Sequence, residues 1–407
     1  MSAEITSTQT TLVARTAACA PLPNYFALLG AHGFVWRDRD VTFVTQGVTA
    51  QVPVDHVAAM LASIAISDPD QAGVWARPRA VGALPFLPGA PATLDIPTHT
   101  ITRTADGRWF HTVVAPANAE VTPLIEPEDL SVEPGRFVVE RATTPDAWTA
   151  LVRCALQAID ADEITKVVLA REAMVGADAP FDAAQILQRL EAQNPACMIF
   201  AHATSDGVFL GASPELLVAR TGTRVFSRPM AGTVPRATSV AADDAMDAAL
   251  RTLKHEHEHA LVVDAVCAAL RAEGVVVESA APEVVHLPTL AHLATAVTGT
   301  ATDSVSALDL ARALHPTPAV GGTPANAALA FIAAHEGFAR NCYAGPVGWV
   351  DSEGDGAFAV ALRCAEIRGT TARLIAGAGI VAGSEPESEW AETQAKLEPM
   401  LRALVRP

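Results

Sequence analysis

The sequence predicts an α+β fold. Short apolar runs follow one another at hairpin spacing, as in MIFAHA (198–203), GVFLGAS (207–213) and ELLVART (215–221). Amphipathic helical runs interrupt them without the regular strand–helix alternation of a parallel βαβ series, which favours α+β over a parallel α/β arrangement. Half of the 407 residues are hydrophobic, so the chain can bury a sizeable core.

The first third of the chain is predicted to be mostly strands. Residues 41–115 contain β-branched runs such as VTFVTQGVTAQV, and one insert, VDHVAAMLASIA (54–65), is predicted to be helical. The segment 116–136 is rich in proline and acidic residues, which predicts a surface connection.

Helices and strands interleave after this connection. PDAWTALVRCALQAI (145–159) is amphipathic and has a proline in its first turn, which predicts a helix. KVVLAREAMV (166–175) is strand-like, and FDAAQILQRLEAQ (181–193) is helical. The remaining predicted elements are one long helix or two within 241–272, strands at 342–350, 357–367 and 372–377, and a helix from 386 to 404.

Charge and composition narrow the function classes. The chain has 28 Lys and Arg against 45 Asp and Glu, a net charge of −17, which argues against nucleic acid or an anionic membrane as the main partner. A small anionic substrate remains compatible, because basic groups can cluster locally. The six cysteines form no C-x-x-C pair, and neither a signal peptide nor an apolar run of about 18 residues is evident. We therefore expect a cytoplasmic protein.

The stretch LKHEHEHALVVDA (253–265) leaves three interpretations open. His255, Glu256 and His259 satisfy the zinc-protease pattern H-E-x-x-H, and on a helix the two histidines would share one face. Alternating His and Glu residues can also match this pattern by accident, and no metzincin extension follows. A zinc metallopeptidase, a carboxylate metal site at Glu258 and a solvated polar helix face are the alternatives.

Glycines precede the predicted C-terminal helix. Gly377, Gly379 and Gly383 are spaced one residue too widely for a dinucleotide fingerprint, so a Rossmann site is rejected. The glycines instead permit a ligand to approach the backbone closely.

The C-terminal helix itself carries a row of charged residues. Glu389, Glu392 and Lys396 share one face of this helix. An exposed ion-paired stripe is the ordinary interpretation. With Glu258 from another helix, these carboxylates would instead form an all-oxygen site suited to Mg²⁺.

Six short stretches carry a family resemblance when they are taken together. In chain order they are KVVLAR, FLGASPELLVA, RPMAGTVPR, LHPTPAVGGTP, YAGPVGWVD and VALRCAEI. They resemble the chorismate-utilising enzymes, which include isochorismate, salicylate, anthranilate and aminodeoxychorismate synthases. The resemblance implies one large domain (1–407) with central packed antiparallel β-sheets, outer helices and a deep ligand cleft. Residues 141–405 would be its motif-rich, chorismate-binding part and 1–140 a variable N-terminal part.

The resemblance also implies a metal site and replaces the zinc interpretation. Glu258 and Glu392 would ligate Mg²⁺, and Glu389 would lie in or near the shell through water. His255 and His257 would then be exposed polar residues.

Substrate and catalytic roles follow from the same resemblance. Chorismate carries two carboxylates, and Arg363 would hold the enolpyruvyl carboxylate, with Tyr343 beside it. Lys166 would be the general base and Glu215 the general acid for addition of water at C2 and loss of the C4 hydroxyl. Burial would help to keep the lysine neutral and the glutamate protonated. The other implied substrate-binding residues are Gly232, Thr233, His315, Ala319, Gly377, Gly379 and Lys396.

Two positions bear on the branch of the family. Anthranilate-type relatives tend to carry another residue where this chain has Lys166, and salicylate-forming relatives tend to have threonine at the position of Ala319. The resemblance therefore implies an isochorismate synthase, with a salicylate synthase as the alternative. The expected partner is chorismate alone, bound by a monomer without a glutaminase subunit.

Overall fold

A computed structural model describes most of the chain. The described residues are 11–120, 123–125, 134–235, 248, 250, 251, 253–287, 290–302 and 304–405. The helices with described bounds are α1 (Val57–Ala62), α2 (Pro145–Asp160), α3 (Ala183–Gln193), α4 (Leu253–Ala272), α5 (Ala307–Leu314), α6 (Ala325–His335) and α7 (Pro386–Val405). No helix within these ranges is long and apolar enough to cross a membrane.

The described strands form one large and one small sheet. In chain order they are β1 (Leu12–Ala18), β2 (Phe34–Arg37), β3 (Val41–Pro53), β4 (Ala65–Ser67), β5 (Arg79–Ala83), β6 (Thr93–Thr104), β7 (Trp109–Pro116), β8 (Phe137–Glu140), β9 (Lys166–Ala177), β10 (Met198–Thr204), β11 (Gly207–Ser213), β12 (Leu216–Thr221), β13 (Arg224–Ser227), β14 (Met230–Pro235), β15 (Val276–Ser279), β16 (Glu283–His286), β17 (Leu290–Ala294), β18 (Val297–Thr300), β19 (Gly322–Thr323), β20 (Pro346–Asp351), β21 (Gly356–Val360), β22 (Cys364–Arg368) and β23 (Thr371–Val381). Strands β14, β17 and β16 form the small sheet, and the other twenty are hydrogen-bonded into the large one.

The large sheet is antiparallel apart from the short pair β1 and β4 within the described residues. Pairings of β2 with β10 and of β5 with β20 join the N-terminal strands to the rest of the chain. The longest pairing near the site aligns β9 with β23, from Lys166 opposite Val381 to Gly176 opposite Thr371. The predicted α+β class with a central antiparallel sheet is confirmed.

Most predicted helices are confirmed to within a few residues. Helix α2 begins at Pro145, and the hydroxyl oxygen of Thr144 caps it by accepting a hydrogen bond from the Ala147 amide at 3.2 Å. Helix α7 matches the predicted C-terminal helix. Of the predicted connection 116–136, residues 121–122 and 126–133 lie outside the described residues, as do 241–247, 249 and 252 of the predicted helix or helices at 241–272.

Two predicted strands were wrong in their bounds. The run 357–367 is two strands, β21 and β22, because the chain breaks at Arg363, whose φ of 50° is left-handed and incompatible with a continuous strand. The run 342–350 begins as a turn, where Ala344 has a φ of 62°, and strand β20 starts only at Pro346. Both irregularities lie beside the cleft described next.

Candidate active site

A cleft of about 1120 Å³, counting its solvent-open mouth, is lined by residues from β9, β14, β23, α4 and α7. Of the fourteen predicted site residues, His315 alone is missing from its lining. The thirteen that line it are Lys166, Glu215, Gly232, Thr233, Glu258, Ala319, Tyr343, Arg363, Gly377, Gly379, Glu389, Glu392 and Lys396. The fold therefore brings together residues that are up to 230 positions apart in the chain.

A buried ion pair joins the first residue of β9 to α4. Lys166 is only 4% exposed, and its Nζ donates to Oε1 of Glu258 at 2.6 Å. Gly379 on the neighbouring strand lies against this pair. A Cβ added there would be 3.1 Å from Cε of Lys166 and 3.4 Å from Oε1 of Glu258. The glycine thus leaves the space that the ion pair fills.

Glu215 is a second buried ionisable group in the cleft. It directly precedes β12 and is 4% exposed. Burial raises the pKa of its carboxyl from 4.5 to about 7, although the Met230 amide and the charges of Lys396 and Lys166 act in the opposite direction. The carboxyl can therefore keep its proton far above the pH at which a free glutamate loses it, and can act as a proton donor.

The charged face of α7 also faces the cleft. The ammonium of Lys396 donates to Oε1 of Glu392 at 2.7 Å and to the carbonyl of Gly377 at 3.0 Å. Glu389 lies one turn earlier on the same face and also lines the cleft. This i,i+4 pair belongs to the cleft wall and is not the exposed stripe that was the ordinary alternative.

Arg363 and His292 form a buried pair in the cleft lining, with the arginine as the cationic donor and the histidine as its neutral acceptor. Nη2 of Arg363 donates to Nε2 of His292 at 3.1 Å. Burial, followed by the charge of Arg363, lowers the pKa of His292 well below 6.5, so the imidazole is neutral. Its Nδ1 lies 3.2 Å from the hydroxyl of Thr233 and 3.3 Å from the carbonyl of Gly232, which places the ring proton on Nδ1.

The other terminal nitrogen of Arg363, Nη1, is available for a ligand. Nη1 is buried and has no hydrogen-bond partner within the described residues. A buried unpaired donor on a cation is costly, and an anionic acceptor such as a carboxylate would satisfy it. Sequence reasoning missed His292, because a histidine within the apolar run LAHLA gives no signal of its own before its partners are known.

Glycines shape two further walls. Gly232 has a φ of 73° and is the extra residue of a bulge in β14, where the register with β17 shifts between Ala231 and Thr233. Gly377 leaves room for the buried Tyr343, whose hydroxyl oxygen would be 3.2 Å from an added Cβ. Both glycines line the cleft.

His315 does not reach the cleft. It directly follows α5, and its Nε2 donates to the carbonyl of Phe86 at 2.8 Å. The ring packs edge-on against Phe86, and burial lowers its pKa to about 4. The structure thus directs the ring toward Phe86 and leaves His315 out of the cleft lining, an orientation that the motif alone could not give.

The H-E-x-x-H stretch does lie on a helix, α4. Its last histidine, His259, is 1% exposed, and its Nε2 is 2.7 Å from the hydroxyl of Thr295. The side chains of His255 and His257 lie outside the described residues, and so does the prediction that they are exposed. Of this stretch, Glu258 lines the cleft.

The acidic residues of the cleft fit a Mg²⁺ ion by their chemistry. Glu258, Glu389 and Glu392 offer carboxylate oxygens, the donors that Mg²⁺ prefers. In the described parts of the chain, no three His, Cys, Asp or Glu side chains converge as a ready-made metal cage. Mg²⁺ commonly uses one or two carboxylates and completes its shell with water and substrate oxygens. The residues therefore suit an ion that is shared with an anionic ligand.

The chain is similar to known proteins over most of its length. A family model described as chorismate binding enzyme matches residues 100–405. Isochorismate synthase EntC of Escherichia coli (strain K12) is 39% identical over 330 residues, which cover 80% of this chain and 81% of the relative. Isochorismate synthase DhbC of Bacillus subtilis (strain 168) is 37% identical over 394 residues, 94% of each chain. The solved structure of MenF, the menaquinone-specific isochorismate synthase from Escherichia coli, gives a TM-score of 0.82 at 26% identity and covers 97% of this chain and 95% of that one.

Proposed function

The chain belongs to the chorismate-binding enzyme family, and from this premise we propose that it is an isochorismate synthase. It would convert chorismate to isochorismate by adding water at C2 and releasing the C4 hydroxyl. One observation carries the proposal: a single cleft holds the buried Lys166, the carboxyl of Glu215 with its pKa of about 7, and Arg363, whose Nη1 has no hydrogen-bond partner. The similarity of the chain to isochorismate synthases at 37–39% identity supports the same reaction.

Arg363 would bind one of the two substrate carboxylates. Its Nη1 lacks a partner, while Nη2 is held by neutral His292, so the fork is oriented before the ligand arrives. Binding of a carboxylate there would satisfy a buried donor that is otherwise left unpaired. Lys396, Gly377 and Gly379 would contact the ring end of the same ligand.

Lys166 and Glu215 would move the two protons of the reaction. The amine of Lys166, in its neutral form, would take a proton from water as the oxygen bonds to C2 and the ring double bonds shift. The same shift of the double bonds breaks the C4–oxygen bond. Glu215 donates its proton to the departing hydroxyl, which leaves as water. Solvent exchange then returns a proton to Glu215 and removes one from Lys166, so no net proton or electron is consumed.

This assignment places one requirement on Lys166. Its amine is held by Glu258 at 2.6 Å, so Lys166 must leave this ion pair before it can act as a base. Mg²⁺, held by Glu258 and Glu392 with Glu389 nearby, would supply positive charge and Lewis-acid polarisation to the ring carboxylate. The acid–base steps themselves are carried by the side chains of the protein.

Product analysis tests the proposal. Purified protein is incubated with chorismate and Mg²⁺, with EDTA and ammonium controls, and the products are separated with mass detection. We expect an isomer of unchanged mass that is absent with EDTA and unaffected by ammonium. Lys166→Ala and Glu215→Gln should each remove it while circular dichroism remains that of the wild type. Normal turnover by either variant would refute the roles given to these residues.

Salicylate formation is the alternative outcome of the same assay. Salicylate with pyruvate would leave the acid–base pair intact and add an elimination after isochorismate. Ala319, a small residue of the cleft lining, is the position whose interpretation this result would overturn.

A further inference from the structure

We infer that Arg171 is a positioning residue that sets the rotation of α7 and thereby aims Glu389 and Glu392 into the cleft. The inference rests on the proposed function, because it concerns the metal-binding carboxylates of that site. Arg171 itself is not part of the cleft lining. It lies five residues after Lys166 in β9, and the strand alternation turns it to the opposite face.

Three contacts hold α7 to this arginine. Nε of Arg171 donates to the hydroxyl oxygen of Thr393 at 2.7 Å, and Nη2 donates to Oε1 of Gln394 at 3.0 Å. Cζ of Arg171 lies 3.8 Å from the ring centroid of Trp390, a close cation–π contact. The Thr393 hydroxyl in turn donates to the carbonyl of Trp390 at 2.8 Å, so its orientation is also fixed. We call Arg171 and its three partners the Arg171 clamp.

The contacts of the Arg171 clamp are more directional than those that side-chain packing alone would require. Arg171 is 1% exposed, and the partners described for it are two neutral oxygens and an aromatic ring. Burying a guanidinium without a carboxylate is costly, and an apolar side chain would fill the same space at lower free-energy cost. A planar fork with fixed donors provides what an apolar side chain does not, which is a defined orientation of its partners.

Helix geometry links the contacts of Arg171 to the direction in which the carboxylates of Glu389 and Glu392 point. Trp390 and Thr393 each follow a cleft carboxylate by one residue, so the clamped face lies about 100° around the helix from Glu389 and Glu392. Two contacts three residues apart on one face fix the rotation of α7 about its axis. Because Arg171 belongs to β9, the clamp also fixes these carboxylates relative to Lys166 on the same strand. A misplacement of about 1 Å at such a site can cost about 100-fold in rate.

Arg189 provides a matched control on the same helix. Nη1 of Arg189, on α3, donates to the carbonyl of Ala403 at 3.1 Å. Ala403 lies eleven residues after Glu392, which is about 16 Å along the helix axis. Loss of either arginine removes an anchor of α7, but only Arg171 acts next to the carboxylates.

The test measures metal binding directly, with Mn²⁺ as the probe and electron paramagnetic resonance of free Mn²⁺ as the readout. We expect Arg171→Met and Arg171→Lys to weaken Mn²⁺ binding at least tenfold, because lysine cannot make both hydrogen bonds and the stacking contact. Gln394→Ala, which removes one exposed partner and spares the core, should weaken it by a smaller factor. Arg189→Met should bind Mn²⁺ like the wild type even if it melts at a lower temperature.

Each outcome bears on the inference. Wild-type affinity in Arg171→Lys and Gln394→Ala, or equal losses in the Arg171 and Arg189 variants, overturns it and leaves the proposed function standing. If Arg171→Met does not fold, the other two variants decide the question. A wild-type protein that neither isomerises chorismate nor binds Mn²⁺ overturns the proposed function and the inference with it.

Discussion

Replacing Glu215 by glutamine should abolish turnover and also stabilise the protein at alkaline pH. The carboxyl is 4% exposed, and burial raises its pKa from 4.5 to about 7 in the folded state. Between these values the folded protein keeps a proton that the unfolded chain has released, so stability falls as the pH rises through this window. Glutamine has the shape of the protonated carboxyl and accepts the same Met230 amide, so it does not incur this loss.

The magnitude follows from the size of the pKa change. A rise from 4.5 to about 7 corresponds to about 3 kcal/mol, at about 1.4 kcal/mol for each tenfold change in the ionisation constant. Most of this loss accumulates between pH 5 and pH 8. For a chain of 407 residues the unfolding entropy is large, so a free-energy difference of about 2.5 kcal/mol shifts Tm by about 3 °C.

The assay is thermal unfolding of wild type and Glu215→Gln at pH 5 and pH 8. We expect the variant to gain about 3 °C on the wild type between the two pH values. Glu215→Ala is the matched control, because it also lacks the charge but opens a cavity. Its Tm should gain the same amount on the wild type between pH 5 and pH 8. At both pH values its Tm should be lower than that of Glu215→Gln. A Tm difference that does not change with pH would mean that the carboxyl is ionised at neutral pH, and it would refute Glu215 as the proton donor.

The other predictions concern the proposed metal site, the glycine beside Lys166 and the acceptor of Arg363. Glu258→Ala should remove both activity and its dependence on Mg²⁺, whereas His255→Ala should stay active; the reverse pattern in a Mg²⁺ titration would restore the zinc interpretation. Gly379→Ala should lower kcat about 10- to 100-fold with an unchanged circular dichroism spectrum, because its Cβ would lie 3.1 Å from Cε of Lys166 and displace the reacting amine. His292→Ala should raise KM for chorismate about tenfold, because a buried acceptor that orients the substrate-binding arginine is lost, and an unchanged KM would contradict that role.

Local elements were predictable because their signals lie within a few residues. Helix α2 begins at Pro145, the proline that the sequence places in its first turn. The β-branched run of β9 and the amphipathic C-terminal helix also appear where predicted. The break between β21 and β22 was missed, because Arg363 has no local reason to adopt a positive φ. Its conformation depends on the cleft that it lines.

The candidate site also has features that the sequence indicated and features that depend on the fold. The motifs indicated thirteen residues that line one cleft, and the family resemblance related them to one chemistry. The motifs could not show that Lys166 is paired with Glu258 at 2.6 Å, since the two lie 92 residues apart. They also placed His315 in the cleft, whereas the fold turns its ring to the Phe86 carbonyl.

The sequence by itself determined the α+β class, most element positions and the residue types of the site, because hydrophobic period, capping residues and motif order are properties of neighbouring positions. Only the tertiary structure decided which of these groups are buried together. Burial raises the pKa of Glu215 to about 7, leaves His292 neutral and gives Arg171 its hold on the helix that carries Glu389 and Glu392. Solvation and directional contacts between distant segments exist only after the chain has folded, and they control the charges and the aim of these side chains.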